Sequence, residues 1–142
     1  MSAAAALALV AVAGGLGAAA RFVVDGAVRA RTPGAAFPWA TVVVNVSGSL
    51  LIGLVTGVLL GADDPASLDP WRLAVATGFC GGYTTFSTAM VESVRLARSD
   101  RWRLALANAV GTMALTLAAV AAGIAVGVAV SDGLGVGLGV GW

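Results

Sequence analysis

Residues 78–92 read Gly-Phe-Cys-Gly-Gly-Tyr-Thr-Thr-Phe-Ser-Thr-Ala-Met-Val-Glu, a run of small and hydroxyl residues inside a chain that is otherwise nearly all hydrocarbon. Two glycines followed, after Tyr83, by two threonines weaken a helix and free backbone carbonyls. Lipid offers such carbonyls no partner, so a break of this kind must be enclosed by protein or must line an aqueous path or an ion site. Phe79 and Phe86 flank it. A phenylalanine in a membrane span usually only packs, but its ring edge is electropositive and can contact an anion without carrying charge. Cys80 reads as a space filler.

The other polar residues at membrane depth each ask for a reason, because burying them in lipid is costly. Asn45 stands within Val44-Asn45-Val46-Ser47-Gly48-Ser49. Its carboxamide offers two donor hydrogens and an acceptor, suited either to an interhelical hydrogen bond or to an anion path. Asn108, Thr112 and Thr116 recur at i, i+4 and i+8, one helical stripe about 12 Å long. One threonine could hide its hydroxyl against its own helix; three polar residues on one face read as a track for a permeating ion. Arg21, after Gly14-Gly15-Leu16-Gly17, either snorkels to the headgroups or serves as a vestibule cation. Glu92 closes the third apolar stretch and either pairs with an arginine or bears on ion passage.

The elements that must position these residues are membrane spans. Of 142 residues, 59% are hydrophobic and 11% charged, against about a quarter charged in soluble domains. There is no lysine and no histidine; the eight cations are all arginine, and the net charge is +1. That balance points neither to nucleic acid nor to an acidic substrate. One cysteine excludes an internal disulfide, no Cys/His set exists for zinc, and the usual proton carrier near neutral pH is missing. Nor is there a nucleophile–base pair, phosphate loop or metal cluster, so an enzyme is not expected. Residues 3–20 are apolar but lack the positively charged start of a signal peptide, and they read as a retained span.

Four windows are apolar enough to cross a bilayer: about 3–24, 39–60, 73–94 and 103–127. Together they predict one all-α transmembrane domain over residues 1–128, with a broken third helix and a flexible Gly-rich tail at 129–142. Trp39, Trp71 and Trp102 each stand at the start of a span, the interfacial position tryptophan favours. The three connections are short, so neighbouring spans run antiparallel. Loops one and three hold Arg29, Arg31, Arg95, Arg98, Arg101 and Arg103, with Arg21 near the same side; the other side has only Arg72, beside Asp63, Asp64, Asp69 and Asp132. Arginine-rich short loops are cytoplasmic, which predicts both termini outside the inner (plasma) membrane. Small residues recur at Ala13 and Gly17, and at Ser49, Gly53 and Gly57, a spacing that lets helix backbones approach closely, within one subunit or across a dimer.

Taken together, Gly14-Gly15-Leu16-Gly17-Ala18-Ala19-Ala20-Arg21-Phe22, then Val44-Asn45-Val46-Ser47-Gly48, then Gly78 to Thr88 with Glu92, resemble the Fluc (CrcB) fluoride channels. The resemblance runs through all four spans in order, and its third-span signature is the most specific part. It implies an antiparallel dimer with two fluoride pores and a structural sodium ion at the two-fold centre. By position, the carbonyls of Gly81 and Thr84 are the sodium ligands it implies. Asn45 matches the family's pore asparagine and Phe86 its first pore phenylalanine; Asn108, Thr112 and Thr116 fall on its fourth-span polar track. The expected pore set is then Asn45, Thr85, Phe86, Ser87, Asn108, Thr112 and Thr116, with Arg21 and Glu92 at a vestibule or gate.

Two departures from the pattern stand out. Ala89 occupies the place of the family's second pore phenylalanine, and the arginines are biased to one side, unlike those of members that insert in both directions. Both fit a subunit that pairs with an oppositely oriented homologue. The expected activity is passive efflux of cytoplasmic fluoride. Its rivals are a small proton-coupled exporter using Glu92, and a non-conducting structural partner subunit.

Overall fold

A computed structural model describes residues 1–62 and 69–133. All secondary structure among the described residues is helical. Helix α1 (Ala3–Arg31) opens on Ser2, whose hydroxyl accepts the Ala5 N–H at 3.2 Å, a side-chain cap on the first turn. It outlasts the 3–24 window because nothing stops it there. Asp25 and Arg29 pair at i, i+4 along its last turns, and the helix yields only before Thr32-Pro33, where proline disfavours the helical conformation of the preceding residue. Helix α2 (Trp39–Leu60) follows Pro38 and ends at Gly61.

The third span is two helices, α3 (residues 69–83) and α4 (Phe86–Arg98), meeting at Thr84 and Thr85. Three helices among the described residues are long and apolar enough to cross a membrane by themselves: α1, α2 and α5 (Trp102–Gly133). The broken pair supplies the fourth apolar stretch. Helix α3 is under-wound over Arg72–Phe79, where the Cys80 N–H reaches back five residues to the Val75 carbonyl. Such widened turns often mark functional segments. Helix α5 has a second wide-turned stretch at Ala107–Gly111.

The small-residue patterns resolve into two seams inside this chain. In the first, Gly53 and Gly57 of α2 face α5, where Gly123 and Gly127 answer them. A Cβ on Gly53 would overlap the Val120 carbonyl, and one on Gly127 would overlap that of Leu54. In the second, α1 lies on α3 so closely that a side chain on Gly17 would collide with the Phe79 carbonyl, and one on Gly82 with that of Gly14. The α2–α5 contact is the most extensive in the molecule. It also carries α5 beyond the 103–127 window: Ser131 is buried against Gly61, and the helix runs to Gly133. Residues 129–133 of the expected tail are therefore helical, while 134–142 lie outside the described residues.

Candidate functional site at the broken third helix

Glycine flexibility is not what breaks the helix. Gly81 and Gly82 remain helical, and the extended residues are Thr84 (φ −79°, ψ 160°) and Thr85 (φ −150°, ψ 113°). Thr84 closes the last turn of one helix and Thr85 opens the first turn of the next. Thr84 directs both its N–H and its hydroxyl to the Cys80 carbonyl, each at 2.9 Å. The Thr85 hydroxyl accepts the Thr88 N–H at 3.2 Å and so caps the first turn of α4.

Asn45 does the rest. Its amide donates to the Thr85 carbonyl at 2.9 Å, and its oxygen accepts the Thr85 N–H at 2.7 Å. One carboxamide thereby satisfies both backbone groups of the residue that has left the helix. This is a two-point clamp across 40 residues of sequence, and it leaves one Asn45 N–H without a partner among the described residues. The Thr84 carbonyl receives the Arg21 guanidinium at 3.4 Å. The Gly81 carbonyl, released because the Thr85 N–H has gone to Asn45, accepts no hydrogen bond among the described residues, and Gly81 is exposed on the surface of the chain.

Two hollows meet at this break. The first, about 530 Å³, is lined by Asn45, Ser49, Thr84, Thr85, Phe86, Ala89, Thr112 and Thr116, with Met90 and Met113 among its apolar walls. Phe86 is 78% exposed, its ring held by no aromatic neighbour among the described residues. The second, about 490 Å³, holds Arg21, Asp25, Thr41, Thr85, Ser87 and Thr88. Thr85 lines both, so the break is the partition between a groove with a phenyl ring and a hollow with a cation.

The expected pore residues divide accordingly. Asn45, Thr85, Phe86, Thr112 and Thr116 come together on the groove, Ser87 and Arg21 face the other hollow, and Asn108 faces neither. Asn108 is fully buried between α4 and α5: it donates to the Ala89 carbonyl at 3.0 Å and the Ser93 hydroxyl at 2.8 Å, and accepts from Thr112 at 3.3 Å. The Thr116 hydroxyl turns back to the Met113 carbonyl at 2.8 Å. Phe79 stacks on Tyr83 at 5.7 Å between centroids, and the Tyr83 hydroxyl bonds with Ser47 at 2.9 Å.

Glu92 is engaged on both oxygens, by the Thr41 hydroxyl at 2.6 Å and by Arg29 at 3.3 Å; Arg29 in turn reaches Asp25 at 2.6 Å. Sequence reading missed Thr41 and Ser49. The signal was present, since Thr41, Asn45 and Ser49 recur at i, i+4 and i+8 on α2 as Asn108, Thr112 and Thr116 do on α5.

Known proteins resemble this chain over about three quarters of its length. The chain is 53% identical over 108 residues to a protein of Leifsonia xyli subsp. xyli named fluoride-specific ion channel FluC 1, an alignment covering 76% of each chain. A FluC 2 of Mycolicibacterium paratuberculosis is 45% identical over 106 residues, covering 75% of this chain and 80% of that one. A FluC 2 of Nitrobacter hamburgensis is 42% identical over 109 residues, covering 77% and 86%. The family described as CrcB-like protein, Camphor Resistance (CrcB), matches residues 8–124, a stretch that contains the clamp, the break and both hollows. With its four apolar stretches and its asparagine-clamped third helix, the chain belongs to the CrcB family.

Proposed function

We propose that this protein is a fluoride-specific ion channel, permitting passive efflux of fluoride from the cytoplasm and so reducing its toxicity. One observation carries the reading: the spare Asn45 N–H and the exposed Phe86 ring meet on one groove beside the break, walled by Thr112 and Thr116, whose hydroxyl hydrogens are turned to Asn108 and Met113. Fluoride is small and strongly hydrated, so a pore must replace its water with donors and positive ring edges. The groove offers both and no fixed charge. A proton-coupled exporter finds less support, because Glu92, its one candidate carrier, already has both oxygens engaged.

The functional unit we infer is a dimer of antiparallel subunits. The groove is open on one side, and Phe86 is 78% exposed there; a second chain would close it. The Gly81 and Thr84 carbonyls are suited to a structural sodium at the dimer centre, since they are hard oxygens that the break leaves outside the helical hydrogen-bond ladder. Gly81 offers its carbonyl without competition, and Thr84 would share its own with Arg21. The arginine-rich end is assigned to the cytoplasm and both termini to the outside of the plasma membrane. That one-sided charge favours a second arrangement, in which the partner is an oppositely oriented homologue and Ala89 belongs to a pore that need not conduct.

The test is fluoride efflux from liposomes holding the purified chain. Sodium-supported efflux that ignores a proton gradient is expected, as is its abolition by Phe86→Ile with assembly intact. Flux driven by a proton gradient would defeat the channel reading. Efflux only after co-expression with a homologue would establish the heterodimer, and unchanged flux in Phe86→Ile would remove that ring from the pore.

A further inference from the structure

Helix α4 ends in two arginines that its own acid does not neutralise. Glu92 lies three residues before Arg95, a spacing at which helical ion pairs form. Its oxygens are taken by Thr41 and Arg29 instead. Arg95 and Arg98 are exposed and have no ion-pair partner among the described residues. Beside them a trough of about 440 Å³ runs along Met90, Val91, Val94, Arg95, Arg98 and Ser99. Its first half is hydrocarbon, with Val91 59% and Val94 56% exposed; its second half ends on the two guanidiniums. Trp102, 66% exposed and four residues beyond Arg98, marks the same end of the helix as membrane interface.

We propose that this trough binds an anionic phospholipid, with the phosphate between Arg95 and Arg98 and an acyl chain over Met90, Val91 and Val94. An apolar floor that gives way to cations at interface depth matches the order of such a lipid along the membrane normal. Guanidinium forks suit phosphate oxygens, and a basic residue at the membrane surface draws anionic lipid. The site shares Met90 with the groove at Phe86, but its cations lie outside that groove and it does not depend on what permeates there.

Native mass spectrometry of the full-length protein in detergent, titrated with phosphatidylglycerol or phosphatidylcholine, tests it. Phosphatidylglycerol is expected to bind preferentially. Arg95→Gln/Arg98→Gln should weaken it about a hundredfold, the loss of two charge-assisted hydrogen bonds to the phosphate, while phosphatidylcholine binding stays unchanged. Arg101→Gln/Arg103→Gln removes equal charge outside the trough, where only screened attraction is lost, and should cost less than about threefold. Equal losses in the two double variants would mean diffuse attraction and would overturn the site. Displacement of the lipid by excess glycerol phosphate would reduce it to a free-anion site and would also overturn it. Efficient disulfide cross-linking of two copies through Val91→Cys or Val94→Cys, with native Cys80 buried, would show protein covering the trough and end the proposal.

Discussion

Two asparagines stand in the middle of apolar helices, and the structure gives them opposite employment. Asn108 is 0% exposed, and its two donor hydrogens and its oxygen are spent on Ala89, Ser93 and Thr112. Asn45 is 7% exposed and is spent on one residue, gripping both backbone groups of Thr85 while keeping a hydrogen in reserve on the groove. The first joins two helices. The second holds open a helix that would otherwise close. Burial alone does not distinguish them; what matters is whether the partner groups are side chains and carbonyls of intact helices or the released backbone of a broken one.

The sharpest way to break this contrast is Asn45→Leu. It leaves the Thr85 N–H and carbonyl unpaired in apolar surroundings, at about 1–3 kcal/mol each. With the clamp gone, α3 and α4 are expected to re-register at Thr84–Thr85, and fluoride flux per correctly folded protein should fall about a hundredfold or more. Asn45→Asp keeps the acceptor for the Thr85 N–H but loses the donor to its carbonyl, and should fall between. Near-normal flux in Asn45→Leu would mean that the break stands without its clamp.

Asn108→Ala should do the reverse. Two hydrogen bonds across the α4–α5 contact and one within α5 disappear, and thermal unfolding in detergent should show a loss of about 2 kcal/mol, near the upper end of polar contacts between membrane helices. Flux per folded channel should stay within about threefold, since the groove keeps Asn45, Phe86 and Thr116. A stable Asn108→Ala protein with no flux would place Asn108 in the ion path and erase the distinction.

This pair also measures what the sequence could tell. Hydropathy placed the four apolar stretches, because lipid leaves a spanning backbone no choice but helices. The site of the break was legible to within a few residues from Gly81-Gly82-Tyr83-Thr84-Thr85, but the glycines were given a share in what the threonine side chains and Asn45 accomplish. Periodicity put Asn108, Thr112 and Thr116 on one stripe. It could not say that Asn108 turns toward Ser93, a hydrogen bond across 15 residues. The two glycine seams were ambiguous between one chain and two for the same reason: small residues announce a close neighbour without naming it.

Thr112 lies between the two regimes, lining the groove yet giving its hydroxyl to Asn108 at 3.3 Å. Thr112→Val should cost about 1 kcal/mol of stability by stranding the Asn108 oxygen. Thr112→Ser should restore it. A flux loss in Thr112→Val that Thr112→Ser repairs, without any change in stability, would instead give that hydroxyl to the groove.

The smallest effect is expected at Thr41, the counterpart of Asn45 one turn earlier on α2. Its hydroxyl donates to Glu92 at 2.6 Å, and the residue is 1% exposed, so valine can replace it without changing the packing. Yet Glu92 keeps Arg29, and its side chain is 12% exposed, so the carboxylate is not left stranded when the hydroxyl goes. Thr41→Val should therefore cost about 0.6 kcal/mol, the typical coupling between polar side chains of neighbouring membrane helices. A double-mutant cycle with Glu92→Gln isolates that coupling from each residue's separate contribution. A coupling near zero would mean that Arg29 alone holds Glu92. One above about 2 kcal/mol would put this pair in the enclosed class with Asn108, and the line between helix-joining contacts and break-holding ones would have to be drawn by something other than the alternatives each group retains.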